Sequence, residues 1–391
     1  MKIKQTTLAS LACVALMATA GAAPVVLNFT GATAFRAAAN NTFKSVLTGC
    51  TYAYVTTSDF AGSNRSIFKG TYDGTEYIIR CSWSGSTAGV AAIENGTPVQ
   101  LLDVSTPTSA DPGTLITTPT YVTDVAMWSF SDVAKGLSTV PNAVLGGGPV
   151  GVIPFAFAAG ESAPAGVTNM TDQLHNLTWS DGTAPASLYS GNPADAGFTL
   201  FATGRNSGSG TRATQLAETQ YGVFKVIQQY LSSISGDQTG SLTGSPSLAP
   251  DPAPGTGING NGGYSSNSNV RDRLNRTSNS AYLGGQYAFV GLLTISDWNA
   301  ATATEGAKPM TYNGVAYTED NVKNGKYSMW GYQQLYTKNL PTSPTDPAKK
   351  FDTLLRSSTG IDANMGSAGI KLGDMAVERL NKADGAPILP L

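Results

Sequence analysis

Apolar positions in this chain come in short blocks, and two periods alternate. Residues 25–29 form an almost continuous apolar run, the mark of a buried strand. After Thr30-Gly31-Ala32-Thr33 the pattern changes. Phe35, Ala39, Phe43 and Val46 then recur at spacings of four, four and three, one face of a helix. The same succession repeats at residues 77–81, where a strand precedes Gly85-Ser86-Thr87-Ala88-Gly89 and a short helical stretch carrying Val90 and Ile93. It repeats again at residues 198–202, followed by Gly204 through Arg212. Leu216, Gln220, Phe224, Ile227 and Leu231 then predict a long amphipathic helix. Strand, Gly/Ser/Thr loop, helix, three times over, predicts an α/β fold. A length of 391 residues predicts two domains. Residues 235–269, dense in Gly, Ser, Pro and Asn, predict a long surface loop, and residues 107–119 a second insertion.

The first residues add an address. Lys2 and Lys4 precede a small, apolar stretch, and Ala18-Thr19-Ala20 and Ala20-Gly21-Ala22 are both cleavage candidates, the pattern of a secretory signal peptide over residues 1–22. The stretch is too short to span a bilayer. The expected product is exported, periplasmic or extracellular. Losing the leader removes Cys13 and leaves Cys50 and Cys81, both beside strand-like runs. In an oxidising compartment they predict one disulfide, with two unpaired thiols as the alternative.

Composition narrows the chemistry. Only 13% of residues are charged, about half the usual share, whereas Ser and Thr together number 81 and Gly 44. With 24 basic against 26 acidic residues, the chain lacks the electrostatic footprint of a nucleic-acid binder. The lone histidine, His175, excludes multi-histidine metal centres, and its polar surroundings predict a surface or loop position. No cofactor is expected.

Whatever is bound must therefore be held by backbone, hydroxyls and few charges. The first turn of a helix offers unpaired N–H groups and partial positive charge. Three such turns, each after a strand, can converge at the carboxyl edge of a sheet and hold an anion. The third loop is the most informative, with Arg205 ahead of Ser207-Gly208-Ser209-Gly210-Thr211. A guanidinium beside a helix N-terminus suits a tetrahedral oxyanion. The loop is not a P-loop, and no His or acid stands where it could activate a serine.

Gly204-Arg205-Asn206-Ser207-Gly208-Ser209-Gly210-Thr211 resembles the R-x-D-G-S-G-T segment of the phosphate-binding proteins of ABC importers. Thr30-Gly31-Ala32-Thr33-Ala34-Phe35 resembles that family's first phosphate loop, and Gly85-Ser86-Thr87-Ala88-Gly89-Val90 its second. The stretch from Asp124 to Ser131-Asp132 resembles its strand ending in a ligand-binding Asp, Val152-Ile153-Pro154-Phe155 its crossover between domains, and Asn313 to Tyr327 its return. The resemblance implies a two-lobed type 2 periplasmic-binding-protein fold, mixed sheets flanked by helices with a cleft between lobes. Lobe I would be 24–153 plus 327–391 and lobe II 154–326. It implies a monomeric, non-enzymatic protein that captures inorganic phosphate or a related oxyanion for the membrane subunits of an importer.

By the same resemblance, Thr33, the backbone of Ala34 and Phe35, Ser86, Arg205, Ser209, Gly210 and Thr211 would bind the anion. Asp132 would accept a hydrogen bond from a protonated oxygen, with Asp124 competing for that alignment. A buried carboxylate pairs with a P–OH group but repels a fully deprotonated anion. The sequence departs from the family at Ser207, where the family has an Asp, and at Thr87, where it has a Ser. Two rivals remain at this point: an extracellular surface or matrix protein that kept the fold but lost the ligand, and a secreted phosphoester hydrolase.

Overall fold

In the computed structural model the described residues are 23–55, 59–235, 241–250, 259–279, 281–366 and 369–391. The expected signal peptide lies outside them. The described residues form nine α-helices, in chain order α1 (Arg36–Val46), α2 (Ser86–Asn95), α3 (Asp172–Asp181), α4 (Ser187–Ser190), α5 (Gly210–Glu218), α6 (Asn267–Leu274), α7 (Ile295–Ala303), α8 (Glu319–Lys323) and α9 (Pro347–Leu355).

They flank one mixed twelve-stranded sheet. From one edge its strands run Thr183–Pro185, Thr199–Ala202, Tyr287–Thr294, Gly146–Ala159, Trp330–Thr337, Trp128–Ser131, Val25–Gly31, Thr75–Ser82, Arg65–Tyr72, Thr48–Tyr54 and Thr114–Leu115. The short strand Lys308–Pro309 also pairs on Gly146–Ala159. Val25–Gly31 lies parallel to both Thr75–Ser82 and Trp128–Ser131, so the carboxyl ends of all three meet. Thr199–Ala202 is likewise parallel to Tyr287–Thr294. The long strand Gly146–Ala159 changes partner along its length. Residues 146–154 pair with Trp330–Thr337, and 155–159 with Tyr287–Thr294. The change falls at Pro154-Phe155, beside the expected crossover.

The central strands are apolar on both faces because helices cover both, as the continuous runs predict. Under α1 and α9, Phe29 stacks on Trp128 at 4.9 Å and meets Phe43 at 4.7 Å, with Phe351 packed beyond. Burying each such ring contributes roughly 1.5–3 kcal/mol. A second cluster gathers Phe155, Phe157, Trp179, Leu200 and Trp330, and a third lies under α6 around Phe201 and Phe289. Among the described residues no helix is long and apolar enough to cross a membrane.

Several expectations fail. The long helix over 216–231 stops at Glu218, because Gln220 and Gly222 take positive φ (56° and 108°) and turn the chain away. Phe224 is exposed, and Tyr230–Leu231 is a short strand paired with Ser247–Leu248. The segment 235–269 is not merely a surface loop, since Leu242 and Ala249 are fully buried. Within 107–119, Thr114–Leu115 extends the sheet.

The expected disulfide is absent. Cys50 and Cys81 are free, and the strand Arg65–Tyr72 runs between theirs. Two strand spacings separate them by about 9.5 Å, beyond the ~7 Å that a bridge spans. They are also out of register, since Cys81 faces Ser66 while Cys50 lies against Gly70. Burial pushes the Cys50 thiol up to about 11 and the Cys81 thiol higher still.

His175 is not at the surface either. It is fully buried in α3, stacked on Trp179 at 4.4 Å, with Nδ1 against Asn176 Oδ1 (3.0 Å) and Nε2 against the Gln215 amide (2.8 Å). Burial holds its pKa down to about 4, so the ring is neutral at physiological pH. The stripe that places it inward (His175, Thr178, Trp179) looked polar in the sequence because its partner is a glutamine.

Candidate oxyanion-binding site

The three strand ends deliver their loops to one place. From Gly31 the chain turns through Ala32, whose N–H donates to Phe130 O (2.8 Å), into Thr33 and Ala34, both half-buried. Gly85, with φ of 115°, donates to Gly31 O (2.9 Å) and starts α2. Only glycine fits at Gly85, since a Cβ there would stand 2.5 Å from Gly208 O. Gly210 is equally constrained, because a Cβ would lie 2.3 Å from Ser86 Oγ and 2.8 Å from Asp132 Cβ. The three loops therefore touch through backbone that has no side chain in the way.

Polar contacts tie them further. The Asp132 N–H donates to Ser86 Oγ (3.1 Å), and Thr87 Oγ1 donates to Ser207 O (3.1 Å). Arg205 Nη2 donates to Thr33 Oγ1 (3.3 Å). Thr211 Oγ1 accepts from Asn267 Nδ2 (3.2 Å). Thr33, Ala34, Phe35, Ser86, Asp132, Arg205, Ser209, Gly210 and Thr211 are thus brought to one neighbourhood. Phe35 contributes backbone alone, because its ring is buried 5.6 Å from Phe130. Asp124 is excluded from the group: its carboxylate pairs with Arg80 (2.5 Å) and accepts from Asn28 (3.0 Å).

Helix capping separates these termini from most others. Side chains cap α3 (Thr171), α6 (Ser266), α8 (Thr318) and α9 (Asp346). At α1, α2 and α5 no side chain caps the first turn. Their leading N–H groups are left for something else. α4 and α7 also lack a cap, but at α7 Thr294 turns its hydroxyl to Asp297 (3.0 Å).

Arg205 is 3% exposed, and its guanidinium is fixed by Nε to Tyr264 O (3.1 Å) and by Nη2 to Ser265 O (2.8 Å). Burial lowers its pKa to about 10, Asp132 opposes that, and it remains charged. Sequence reasoning missed Tyr264, Ser265 and Asn267, which lie in the stretch read as loop. One signal was present. In Gly262-Gly263 the second glycine packs on Arg205, where a Cβ would come within 2.5 Å of its carbonyl. The bridge Arg205–Tyr264 follows from that approach. Two carbonyls orient the guanidinium here without neutralising it, so its charge is left whole for a ligand.

Asp132 is 2% exposed. Burial raises its pKa to about 6; Ser86 and Arg205 pull it down and Asp384 pushes it up. Its Oδ1 and the Ser209 Oγ are buried without a hydrogen-bond partner. Behind it, Asp384 accepts from the Ala134 N–H (2.6 Å), and a buried Arg379–Glu218 pair (2.7 Å) stacks on Trp330. Arg205 and Asp132 therefore present a positive charge and an acceptor among unpaired donors, an arrangement suited to an anion that keeps one proton. Among the described residues no group of three His, Cys, Asp or Glu side chains could hold a metal.

The molecule is an α/β protein whose loops meet at the carboxyl edge of a mixed sheet, where such folds bind ligands. A profile of the PBP superfamily domain matches residues 56–359, and the chain belongs to that superfamily. It is similar in fold to a substrate-binding protein assigned to phosphate ABC transport from Clostridium perfringens, solved with bound phosphate. That likeness has a TM-score of 0.51 and 14% identity, covering 89% of this chain and 99% of the other. It is similar also to an ABC-type phosphate transport receptor from Vibrio cholerae, with a TM-score of 0.50 and 13% identity, covering 88% and 99%. No curated protein matches the sequence significantly.

Proposed function

We propose that this chain is an exported solute-binding protein that captures phosphate, or a similar tetrahedral oxyanion, between two lobes and delivers it to an ABC importer, without catalysing a reaction. Lobe I is 24–153 with 327–391, and lobe II is 154–326. Arg205 and α5 approach from lobe II; Thr33, Ser86 and Asp132 approach from lobe I. The anion adds to the contacts that already join them, Arg205 to Thr33 and Thr87 to Ser207.

One observation carries the reading. Three helices without side-chain caps, α1, α2 and α5, follow the loops that meet at Thr33, Ser86 and Arg205, beside a buried carboxylate whose Oδ1 has no donor. A P–OH group supplies that donor, and the remaining oxygens take the N–H groups and hydroxyls. The solved structure with bound phosphate on a similar fold adds to it.

Calorimetric titration with inorganic phosphate tests the proposal. The native protein binds, and Arg205→Ala weakens binding by about 2–5 kcal/mol, the usual loss when one partner of a buried charged pair is removed. Unchanged affinity in the variant overturns the site. Absence of binding in the native protein favours a fold that has lost its ligand.

A further inference from the structure

A cavity of about 250 Å³ adjoins the Arg205 site on one side. Thr33 belongs to both: its hydroxyl accepts from Arg205, and its side chain lines the cavity. Asn267 also belongs to both. Its Nδ2 is bound to Thr211, whereas its Oδ1 is buried and has no partner, and the residue, 5% exposed, lines the cavity wall. Inorganic phosphate held at Arg205 and Asp132 would leave this space and this acceptor unused.

The lining selects what could fill it. Its ionisable groups are two arginines and two aspartates, Arg36 and Arg271 against Asp59 and Asp297, so it carries no net charge. Arg271 is paired to Asp297 (3.2 Å), and Arg36 donates to Asn64 (2.8 Å). Among the described residues, the only apolar side chains in the wall are those of three alanines. Such a surface disfavours an aromatic or aliphatic group and a group of net charge, and favours hydroxyls.

We infer that the ligand is a phosphate monoester of a short polyol, its phosphoryl group at Arg205 and its hydroxyl-bearing substituent in this cavity, donating to Asn267 Oδ1. The inference rests on the oxyanion reading and goes further in naming the ester. A monoester protonated on one oxygen keeps the P–OH that Asp132 requires, and near pH 6 about half of it is in that form.

The test is calorimetry of the full chain at pH 6 with sn-glycerol 3-phosphate, inorganic phosphate and glycerol, repeated with Ala61→Phe, which fills the cavity from the wall opposite the helix termini. The ester is expected to bind at least about tenfold more tightly than phosphate, and glycerol not at all. Ala61→Phe is expected to abolish the ester's advantage while still binding phosphate, which also reports that it is folded. An ester no tighter than phosphate overturns the inference and leaves the phosphate reading standing. So does an advantage that survives Ala61→Phe. Failure of both ligands on the native protein overturns both.

Discussion

Replacing Asp132 by Asn tests the electrostatics of the site without any ligand. Burial lifts the carboxyl from its ordinary 3.8 to about 6. At about 1.4 kcal/mol per pH unit, keeping it ionised inside the protein costs about 3 kcal/mol. A raised acid has a definite sign. Its contribution is most favourable below pH 3.8, falls as pH rises through 6, and is fully lost above that. Asparagine has nearly the same shape and carries no charge, so Asp132→Asn stabilises the anion-free protein above pH 6 by up to about 3 kcal/mol. The gain shrinks between pH 6 and pH 3.8 and vanishes below. With an unfolding entropy of about 2.1 cal/mol/K per residue over this chain, the gain is a Tm increase of about 4 °C. Scanning calorimetry in phosphate-free buffer at pH 7.5 and pH 3.5 reads both limits. A variant no more stable than the native protein at pH 7.5 would refute the claim that a carboxylate is buried there at a net cost. The same variant should also narrow the preference for phosphate over sulfate, because the repelling charge is gone.

Other consequences follow from single contacts. Gly210→Ala forces a Cβ to 2.3 Å from Ser86 Oγ, which should cost about 1–3 kcal/mol in urea unfolding and pry α5 from Ser86, weakening phosphate binding. An unchanged affinity would show that the close approach is dispensable. His175, with its pKa held down to about 4, should show no inflection in its ring proton shift between pH 8 and 5.5. Because its folded pKa lies below the unfolded one, the neutral ring's contribution to stability is lost as pH falls from 6.5 through 4, opposite in sign to Asp132. An NMR inflection near pH 6.5 would place the ring in solvent.

The periodic parts of this fold were legible. The runs at 25–29, 77–81 and 198–202 are strands, and the helices at 36–46 and 86–95 begin where Gly and hydroxyl residues lead into the helical period. The motif loops were legible because close backbone approach demands glycine at Gly85 and Gly210.

What failed depends on tertiary context. Leu216 to Leu231 keeps a helical period, but the positive φ at Gln220 is set by docking rather than by propensity. Its amide donates to Ala217 O (3.1 Å) and Gly385 O (2.9 Å). Cys50 and Cys81 lie on strands of one sheet, yet only the pairing order reveals a strand between them. Tyr264 and Ser265 act through main-chain carbonyls, which leave no trace in residue type.

The central claim is that a buried acceptor and a set of unpaired donors select a protonated tetrahedral anion. Competitive titration of the native protein with phosphate and sulfate at equal ionic strength tests it most directly. Sulfate has no proton for Asp132 and meets its charge, and losing a charge-assisted hydrogen bond costs about 1.5–3 kcal/mol. Phosphate is expected to bind about tenfold to a hundredfold more tightly than sulfate. Equal affinity for the two, or tighter binding of sulfate, would contradict it.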